Sequence, residues 1–266
     1  MKIRLYLGLF AAIALSACTT NPAPVQIAFI HPLQIFPEDH DVQGLRLNLV
    51  HGKSANLTGL DIGVVNDAAE VTGLEIGALN LVRGDYTGLQ LSGLTSVDGG
   101  FRGLQLCGFG FVAGPAEGLQ LCGAAKADGF SGAQIGAIVQ STDTAMGLQL
   151  SALNSAMELT GLQAGVVGTA AVFEGLQLNL GANQVKQSFT GAQVGLVNVA
   201  DGMDGGAQIG VLNAVGSPFV PKQSAMVGLQ LGVINWGEDV HGVQIGLLNF
   251  NANGFLPVFP IINFSF

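Results

Sequence analysis

A short pattern of apolar and polar positions recurs along most of the chain. Each copy begins with Gly, numbered as position 0, and position +1 is Leu, Ala or Val. Position +3 is apolar, and position +4 is always Gly, Ser, Cys or Asn. Self-similarity at a fixed period is typical of repeat architectures, so this array governs the fold. Successive copies are 14 to 16 residues apart, with one spacing of 22, and they begin at Gly44, Gly59, Gly73, Gly88, Gly103, Gly118, Gly132, Gly147, Gly161, Gly175, Gly191, Gly206, Gly228 and Gly242.

Two polar positions are nearly as regular as the Gly. Position +2 is Arg46, Asp61 and Glu75 in the first three copies, and in the remaining eleven it is Gln: Gln90, Gln105, Gln120, Gln134, Gln149, Gln163, Gln177, Gln193, Gln208, Gln230 and Gln244. Position +7 is Asn in seven copies: Asn66, Asn80, Asn154, Asn198, Asn213, Asn235 and Asn249. Amide side chains at equivalent places in stacked strands bond to one another, so both sets are candidate ladders.

The alternation from +1 to +5 predicts a β-strand with its apolar residues on one face and the Gln and the small residue on the other. We expect the apolar face to point into the fold and the Gln face outward, as an open ladder or as solvated polar positions. An apolar residue at −2, such as Val71 or Phe101, and paired apolar residues at +5 and +6, such as Val64 and Val65, interrupt the alternation. These interruptions predict two corners in each copy, one of them at the Gly, which can adopt an unusual φ.

Short strands joined by corners predict an all-β fold, a β-solenoid of about fourteen coils with repeats of 14 to 16 residues. Such coils stack about 4.8 Å apart, and each covers its neighbours. The repeats then occupy residues 44–249, with residues 26–43 capping the first coil and residues 250–266 capping the last. The alternative is a transmembrane antiparallel β-barrel with one strand per copy, because the terminal Ile262-Asn263-Phe264-Ser265-Phe266 alternates and ends in Phe. Nearly uniform spacing, the two corners and a count of only two Tyr and one Trp favour the solenoid.

Composition and charge exclude several classes of partner. Gly makes up 40 of the 266 residues and charged residues only 10%, which suits a β architecture whose segments approach one another closely. Nine Lys and Arg stand against eighteen Asp and Glu, giving a net charge of −9. A surface of this sign repels phosphates, so we expect no nucleic-acid partner and no polybasic attachment to anionic lipid.

The first seventeen residues have the parts of a secretory signal. Lys2 and Arg4 precede the apolar stretch from Leu5 to Leu15, which is too short to span a bilayer. The following Leu-Ser-Ala-Cys, ending at Cys18, resembles the lipobox of bacterial lipoproteins, in which the Cys is acylated and becomes the mature N-terminus. The alternative is an ordinary signal peptide cut before a free Cys.

The lipobox resemblance implies that residues 1–17 are removed and that Cys18 carries acyl chains such as palmitate. Residues 18–25 then form the lipidated end and a polar, Pro-bearing tether. Loss of Lys2 and Arg4 leaves seven basic and eighteen acidic side chains, a net charge of −11. Thr19 after the Cys, rather than Asp, favours the outer membrane over retention in the inner membrane.

The repeats themselves also resemble a known family. Units such as Gly228-Leu-Gln-Leu-Gly-Val-Ile-Asn235 and Gly242-Val-Gln-Ile-Gly-Leu-Leu-Asn249 are similar to the GLQIGLxN units of bacterial surface-repeat proteins, and the likeness extends from about residue 26 to the end. The resemblance implies a cell-surface location and brings no activity and no functional residues. The central copies depart from it, because the Asn is replaced by Thr95, Gly110, Ala125 and Val139.

Two cysteines occupy equivalent places in adjacent copies. Cys107 and Cys122 are both at +4 and lie fifteen residues apart. In a solenoid they stack at about 4.8 Å, within the Cα separation of a disulfide. The compartment beyond the inner membrane permits the bond. A disulfide and two free thiols filling a slot for small residues are equally open interpretations.

Other polar residues give little support for a metal site or a catalytic site. The run Glu38-Asp39-His40-Asp41 has oxygen ligands for a divalent cation, but a solvated turn is the favoured interpretation. Loop acids such as Asp98, Asp128 and Asp201 lack the regular spacing of calcium-binding repeats. Carbohydrate-cleaving β-helices need clustered carboxylates on one face, whereas the face expected to be open here carries Gln. We therefore expect no enzyme activity, cofactor or metal.

The sequence as a whole predicts a lipid-anchored protein of the outer membrane or cell surface with a structural or binding role. Its expected partners are the membrane, through the acyl chains on Cys18, and a protein, a glycan or a second copy of the chain on the Gln/Gly face. The alternative function, tied to the alternative fold, is that of a pore or assembly protein of the outer membrane.

Overall fold

The computed structural model describes residues 22–216, 224–254 and 256–265. The chain forms a β-solenoid of about 15 turns, as the repeats predict. Strand conformation continues around the corners, so one strand can run through several coils. No helix in the described ranges is long and apolar enough to cross a membrane. The strands there are β1 (Ala23–Ile30), β2 (Leu33–Gln34), β3 (Val42–Val82), β4 (Tyr86–Val97), β5 (Phe101–Val194), β6 (Val197–Val215), β7 (Ala225–Gly237), β8 (Asp239–Asn251) and β9 (Val258–Ser265).

Successive copies pair in parallel and in register. Gly73 of β3 lies beside Gly88 of β4, and Gly228 of β7 lies beside Gly242 of β8. The positions that follow the Gly are therefore stacked on their equivalents in the next coil, and register shifts between β5 and β6 and between β6 and β7 accommodate copies of different length. Parallel pairing is the arrangement of the predicted solenoid and not that of the antiparallel alternative.

The chain divides into two compact units, the first ending at Cys122 and the second beginning at Gly123. In the first unit, β1 pairs in parallel with the start of β3, with Val25 beside Leu45 and Ile27 beside Leu47. β1 is therefore a further coil in the register of the repeats, and it extends into residues 26–43, the segment predicted as a cap. β2 then pairs antiparallel with β1 and covers its outer edge, which would otherwise be open to another strand.

The second unit ends in a reversal of chain direction. β9, within the predicted C-terminal cap, runs antiparallel to β8, with Phe264 beside Val243 and Asn263 beside Gln244. The reversal ends the parallel stacking and covers the edge of the last coil.

Each copy has an unusual backbone conformation at its Gly. All fourteen of these glycines have a positive φ, between 118° and 158°. A Cβ on Gly73 would lie only 2.0 Å from the carbonyl oxygen of Gly59 in the previous coil. The dihedral angle and the close stacking each require Gly, which confirms the unusual φ predicted at this position. The parity break predicted there is wrong, because position −2 faces inward and position +1 outward.

Apolar side chains fill one half of the interior. They come from position −2, for example Val71 and Phe173, and from position +9, for example Val82 and Val112, all of them buried. Aromatic members stack on one another: the ring centroids of Phe173 and Phe189 are 6.2 Å apart. The other half of the interior is polar.

Candidate functional site

The Gln side chains at +2 point into the solenoid, and the prediction that they face outward is wrong. All eleven are 0% or 1% exposed: Gln90, Gln105, Gln120, Gln134, Gln149, Gln163, Gln177, Gln193, Gln208, Gln230 and Gln244. Within each unit, Nε2 of one Gln donates to Oε1 of its equivalent in the preceding coil, at 2.7–3.1 Å. A buried amide is tolerated when its donor and acceptor are both bonded, and stacking in register lets one Gln bond to the next along each ladder.

Most of the Asn side chains at +7 bond to one another in buried ladders, as predicted, but the side chain of Asn154 bonds instead to Ser151 and the Ala164 carbonyl. Asn198 donates to Oδ1 of Asn213 at 2.8 Å, and Asn235 to Oδ1 of Asn249 at 2.7 Å. The same amide nitrogens also donate to a backbone carbonyl of the following coil, for example from Asn235 to Ile245 at 2.9 Å. The members named by the sequence are all buried: Asn66, Asn80, Asn154, Asn198, Asn213, Asn235 and Asn249.

Two further members of the Asn ladder were missed by the sequence pattern. Asn48 donates to Asn66 at 2.8 Å, and Asn183 donates to Asn198 at 2.7 Å. Asn48 lies at +4 of its copy, and Asn183 is displaced to +8 because its copy has sixteen residues. A search for buried amides that tolerated one inserted residue would have found Asn183.

The Gln and Asn ladders run in opposite directions. Gln amide nitrogens point toward the preceding coil, whereas Asn amide nitrogens point toward the following coil. The two rows of amide dipoles therefore oppose each other, and neither end of a unit accumulates their combined charge.

The first three members of the +2 column are charged and also buried, again contrary to the outward prediction. Arg46 donates through Nε and Nη2 to the two carboxylate oxygens of Asp61, and Nη1 donates to the carbonyl of Asp67 at 2.8 Å. Gln90 donates to Oε2 of Glu75 at 2.7 Å, so the Gln ladder of this unit ends on a carboxyl group.

Burial decides whether the Glu75 carboxyl group is charged. Desolvation, reinforced by the nearby Asp61 carboxylate, raises the pKa of Glu75 to about 8. Burial also raises the pKa of Asp61, but the hydrogen bonds and charge of Arg46 oppose that effect. At neutral pH, Glu75 is therefore protonated and Asp61 is the carboxylate that neutralises Arg46. All three side chains are 0% exposed, so none of them can meet a substrate.

Cys107 and Cys122 form a disulfide, and their Cα atoms are 4.5 Å apart. This confirms the bonded interpretation of the pair. The bond joins two adjacent coils of the first unit, in copies that lack the ladder Asn. The predicted lipidation site, Cys18, lies outside the residues that the structure describes.

The acidic run near the first coil is occupied by ion pairs. Glu38 contacts Lys53 at 2.7 Å and His31 at 3.5 Å. The hydrogen bond and charge of Lys53 lower the pKa of the Glu38 carboxyl. Among the described residues, no group of three or more His, Cys, Asp or Glu side chains is arranged to hold a metal ion.

With Gln inside, the aliphatic residues are outside, where they form an aliphatic strip. We define this strip as positions +1, +3, +5 and +6 of the copies, together with their equivalents in β1. In all fourteen copies these positions hold Leu, Ile, Val, Ala, Phe or Gly, and none has a polar side chain. Leu180 and Leu247, both at +5, are 77% and 69% exposed. Positions +5 and +6 both face outward, which confirms the second predicted corner.

The strip is large for an exposed apolar surface. In the second unit it extends over eight copies, from Gly132 to Gly242. Coils about 4.8 Å apart and residues about 3.3 Å apart along the strand give an area of about 38 by 16 Å for these copies alone. A continuous apolar patch of several hundred Å² on a protein usually marks an interaction surface.

Charged side chains are excluded from the strip. Apart from the buried Arg46, Asp61 and Glu75, every Asp, Glu, Lys and Arg of the copies lies between +8 and −1. Several of them form ion pairs there, such as Arg102 with Glu117 at 2.8 Å. The strip therefore has no charged side chains, and the charged side chains of a coil lie around the rest of its outer surface, among a few exposed apolar residues such as Met146 and Met157.

No model of a known protein family matches the chain, and neither does any curated protein or solved structure.

Proposed function

We propose that this chain is a lipid-anchored protein of the outer membrane or cell surface, with a structural or binding role and no catalysis. The aliphatic strip is the observation that supports a binding role, because it presents a wide apolar surface that contact with a partner would remove from water. The lipobox resemblance at Cys18 supports the anchor, and the similarity to GLQIGLxN surface repeats supports the location.

The burial of the polar columns supports a role without catalysis. The carboxyl group with the raised pKa, Glu75, is sealed in the interior and hydrogen-bonded to Gln90. The expected partner surface changes accordingly: the Gln/Gly face is internal, so a protein, a glycan or a second copy cannot bind to it. The binding surface is the strip.

The anchor is tested by metabolic labelling. Cells expressing the full chain are fed an alkyne-bearing fatty acid, and we expect label on the wild type and none on Cys18→Ser. The double variant Cys107→Ser/Cys122→Ser is the matched control and should keep the label. Absence of label from the wild type would contradict the anchor.

The binding role is tested by the accessibility of the strip in cell envelopes. Leu180→Cys places a thiol on the strip, and Gln187→Cys places one on the polar side of the same copy. We expect a small maleimide to react with Gln187→Cys and not with Leu180→Cys, whereas both thiols should react after denaturation. Equal reactivity of the two thiols in intact envelopes would show that nothing covers the strip.

A further inference from the structure

We propose that the aliphatic strip lies against the acyl chains of the membrane that holds the protein. This inference rests on the proposed function, because it names the partner of the same surface. The occupant is a lipid surface, and each unit lies on the bilayer through its own part of the strip.

The chemistry of the strip favours lipid over protein. Even the buried centre of a protein interface contains polar atoms, and Tyr, Trp and Arg are enriched there. The strip contains none of these residues in any copy, and its side chains offer no hydrogen-bonding group at all. Acyl chains need no hydrogen-bonding side chain from the protein. In hydrocarbon, however, every backbone N–H and C=O must be hydrogen-bonded within the protein. Parallel stacking of successive coils supplies these bonds along most of each copy, and near the second corner the ladder Asn donates to a backbone carbonyl of the next coil.

The start of the solenoid lies close to the proposed anchor. β1 begins at Ala23, five residues after Cys18. An extended chain spans at most about 3.6 Å per residue, so the first coil stays within about 18 Å of the acylated Cys. That coil already carries the strip: Val25 and Ile27 continue the columns of Leu45 and Leu47, and Phe29 is exposed beyond them. The anchor therefore holds one end of the strip at the membrane.

The charge distribution agrees with this orientation. Acidic side chains such as Glu158 and Glu174 lie on the polar side of the copies, outside the strip columns. A solenoid resting on its strip keeps these carboxylates in water and away from the hydrocarbon, where a charge is costly. A net charge of −11 gives no attraction to anionic headgroups, so the contact has to be apolar.

The test uses the quenching of Trp fluorescence by lipids that carry bromine on their acyl chains. Trp236 is the single Trp of the chain, so Trp236→Phe provides a background without emission from Trp. In that background, Leu180→Trp reports on the strip and Gln187→Trp on the polar side of the same copy. Each full-length protein is placed in phosphatidylcholine vesicles with and without brominated chains.

We expect the emission of Leu180→Trp to shift to the blue and to be quenched by the brominated lipid, and Gln187→Trp to show neither change. Leu247→Trp, in a different coil, should behave like Leu180→Trp. This second reporter keeps the test valid if one of the two variants misfolds. If neither strip reporter is quenched, the lipid contact is refuted.

A companion measurement separates that failure from failure of the proposed function. Copies of Leu180→Cys that cross-link to one another in the membrane, with the strip reporters unquenched, would refute the lipid contact while keeping the strip as a binding surface for a second copy. A strip that is unquenched, does not cross-link and reacts freely with maleimide would refute both proposals.

Discussion

Replacement of Glu75 by Gln would turn the charged end of a ladder into an ordinary member of it. In the wild type, Oε2 accepts from Gln90 at 2.7 Å, while Oε1 accepts no hydrogen bond from any described residue. A proton on Oε1 makes the group a donor toward the Asp61 carboxylate. The Glu75→Gln amide would have the same pattern, with Nε2 donating to Asp61 and Oε1 accepting from Gln90. The variant should therefore fold with the wild-type hydrogen bonds.

The size of the expected stability change follows from the pKa of Glu75, which rises from an ordinary value of 4.5 to about 8 on folding. Between these two values the folded state keeps a proton that the unfolded state has lost, so the stability of the wild type falls as the pH rises. The contribution of Glu75 is fully present below pH 4.5 and lost above pH 8. Each unit of pKa corresponds to about 1.4 kcal/mol, which gives a loss of about 5 kcal/mol across this window. Glu75→Gln does not titrate and should avoid the loss.

The assay is urea denaturation followed by circular dichroism, from pH 4.5 to pH 8.5. The quantity to compare is the free energy of unfolding of Glu75→Gln minus that of the wild type, because titration of the groups that do not interact with Glu75 then cancels. We expect this difference to increase steadily with pH by several kcal/mol. Glu158→Gln, an exposed carboxyl on the polar side, is the control and should stay within about 0.5 kcal/mol of the wild type. A difference for Glu75→Gln that does not change with pH would refute the assignment of a buried, protonated Glu75.

Three further changes test the interior and its corners, each by urea denaturation. Asp61→Asn should lower the free energy of unfolding by about 3 to 5 kcal/mol at pH 7, because it leaves the buried guanidinium of Arg46 without its carboxylate. An unchanged free energy of unfolding would show that this ion pair is solvated. Reduction of the Cys107–Cys122 disulfide, which joins residues fifteen apart, should cost about 3 kcal/mol, measured with and without reductant; unchanged stability on reduction would argue against the bond. Gly206→Ala should cost about 3 kcal/mol or more, since its Cβ would meet the Gly191 carbonyl oxygen at 1.8 Å with φ at +140°. The adjacent Gly205→Ala is the control, because its Cβ would meet nothing within 4 Å, and equal losses for the two would contradict the corner geometry.

The repeat spacing predicted the architecture because it has a direct physical meaning in a solenoid. A constant period of 14 to 16 residues stacks Gly on Gly and Asn on Asn, and the parallel register of β7 and β8 shows this alignment. The two Cys residues at +4 are an example of the same logic, since equivalent positions in neighbouring coils lie within bonding distance. Features that depend only on which residues are stacked could therefore be predicted.

The choice of inner face could not be made from alternation alone. A strand pattern shows that Leu and Gln lie on opposite faces, but it does not show which face is enclosed. The usual assignment of apolar residues to the interior failed here because amides in register hydrogen-bond to one another from coil to coil, which makes their burial tolerable. The apolar residue at −2 could have decided the question. Val71 and Glu75 are four residues apart, so a strand without reversal at the Gly puts them on the same face, and an inward Val71 implies an inward Glu75. The buried Arg46 and Asp61, opposite in charge at equivalent positions, pointed the same way.

The inward amides and the outward aliphatic residues both follow from the limited space inside the coils. Four columns fill the small interior, two of them apolar and two of them amide ladders, so the Leu, Ile and Val side chains at +1 and +3 have no space inside. The amide ladders join neighbouring coils through hydrogen bonds inside the solenoid, and the side chains of the outer surface take no part in these bonds. The +1 residues of the strip are half-buried, but side chains that are mostly exposed, such as Leu180, contribute little to packing between coils, so single polar substitutions there should barely affect folding. The stability of the solenoid gives no reason to exclude polar residues from the mostly exposed positions of the strip in all fourteen copies, and the contact with an apolar partner proposed above would explain their absence.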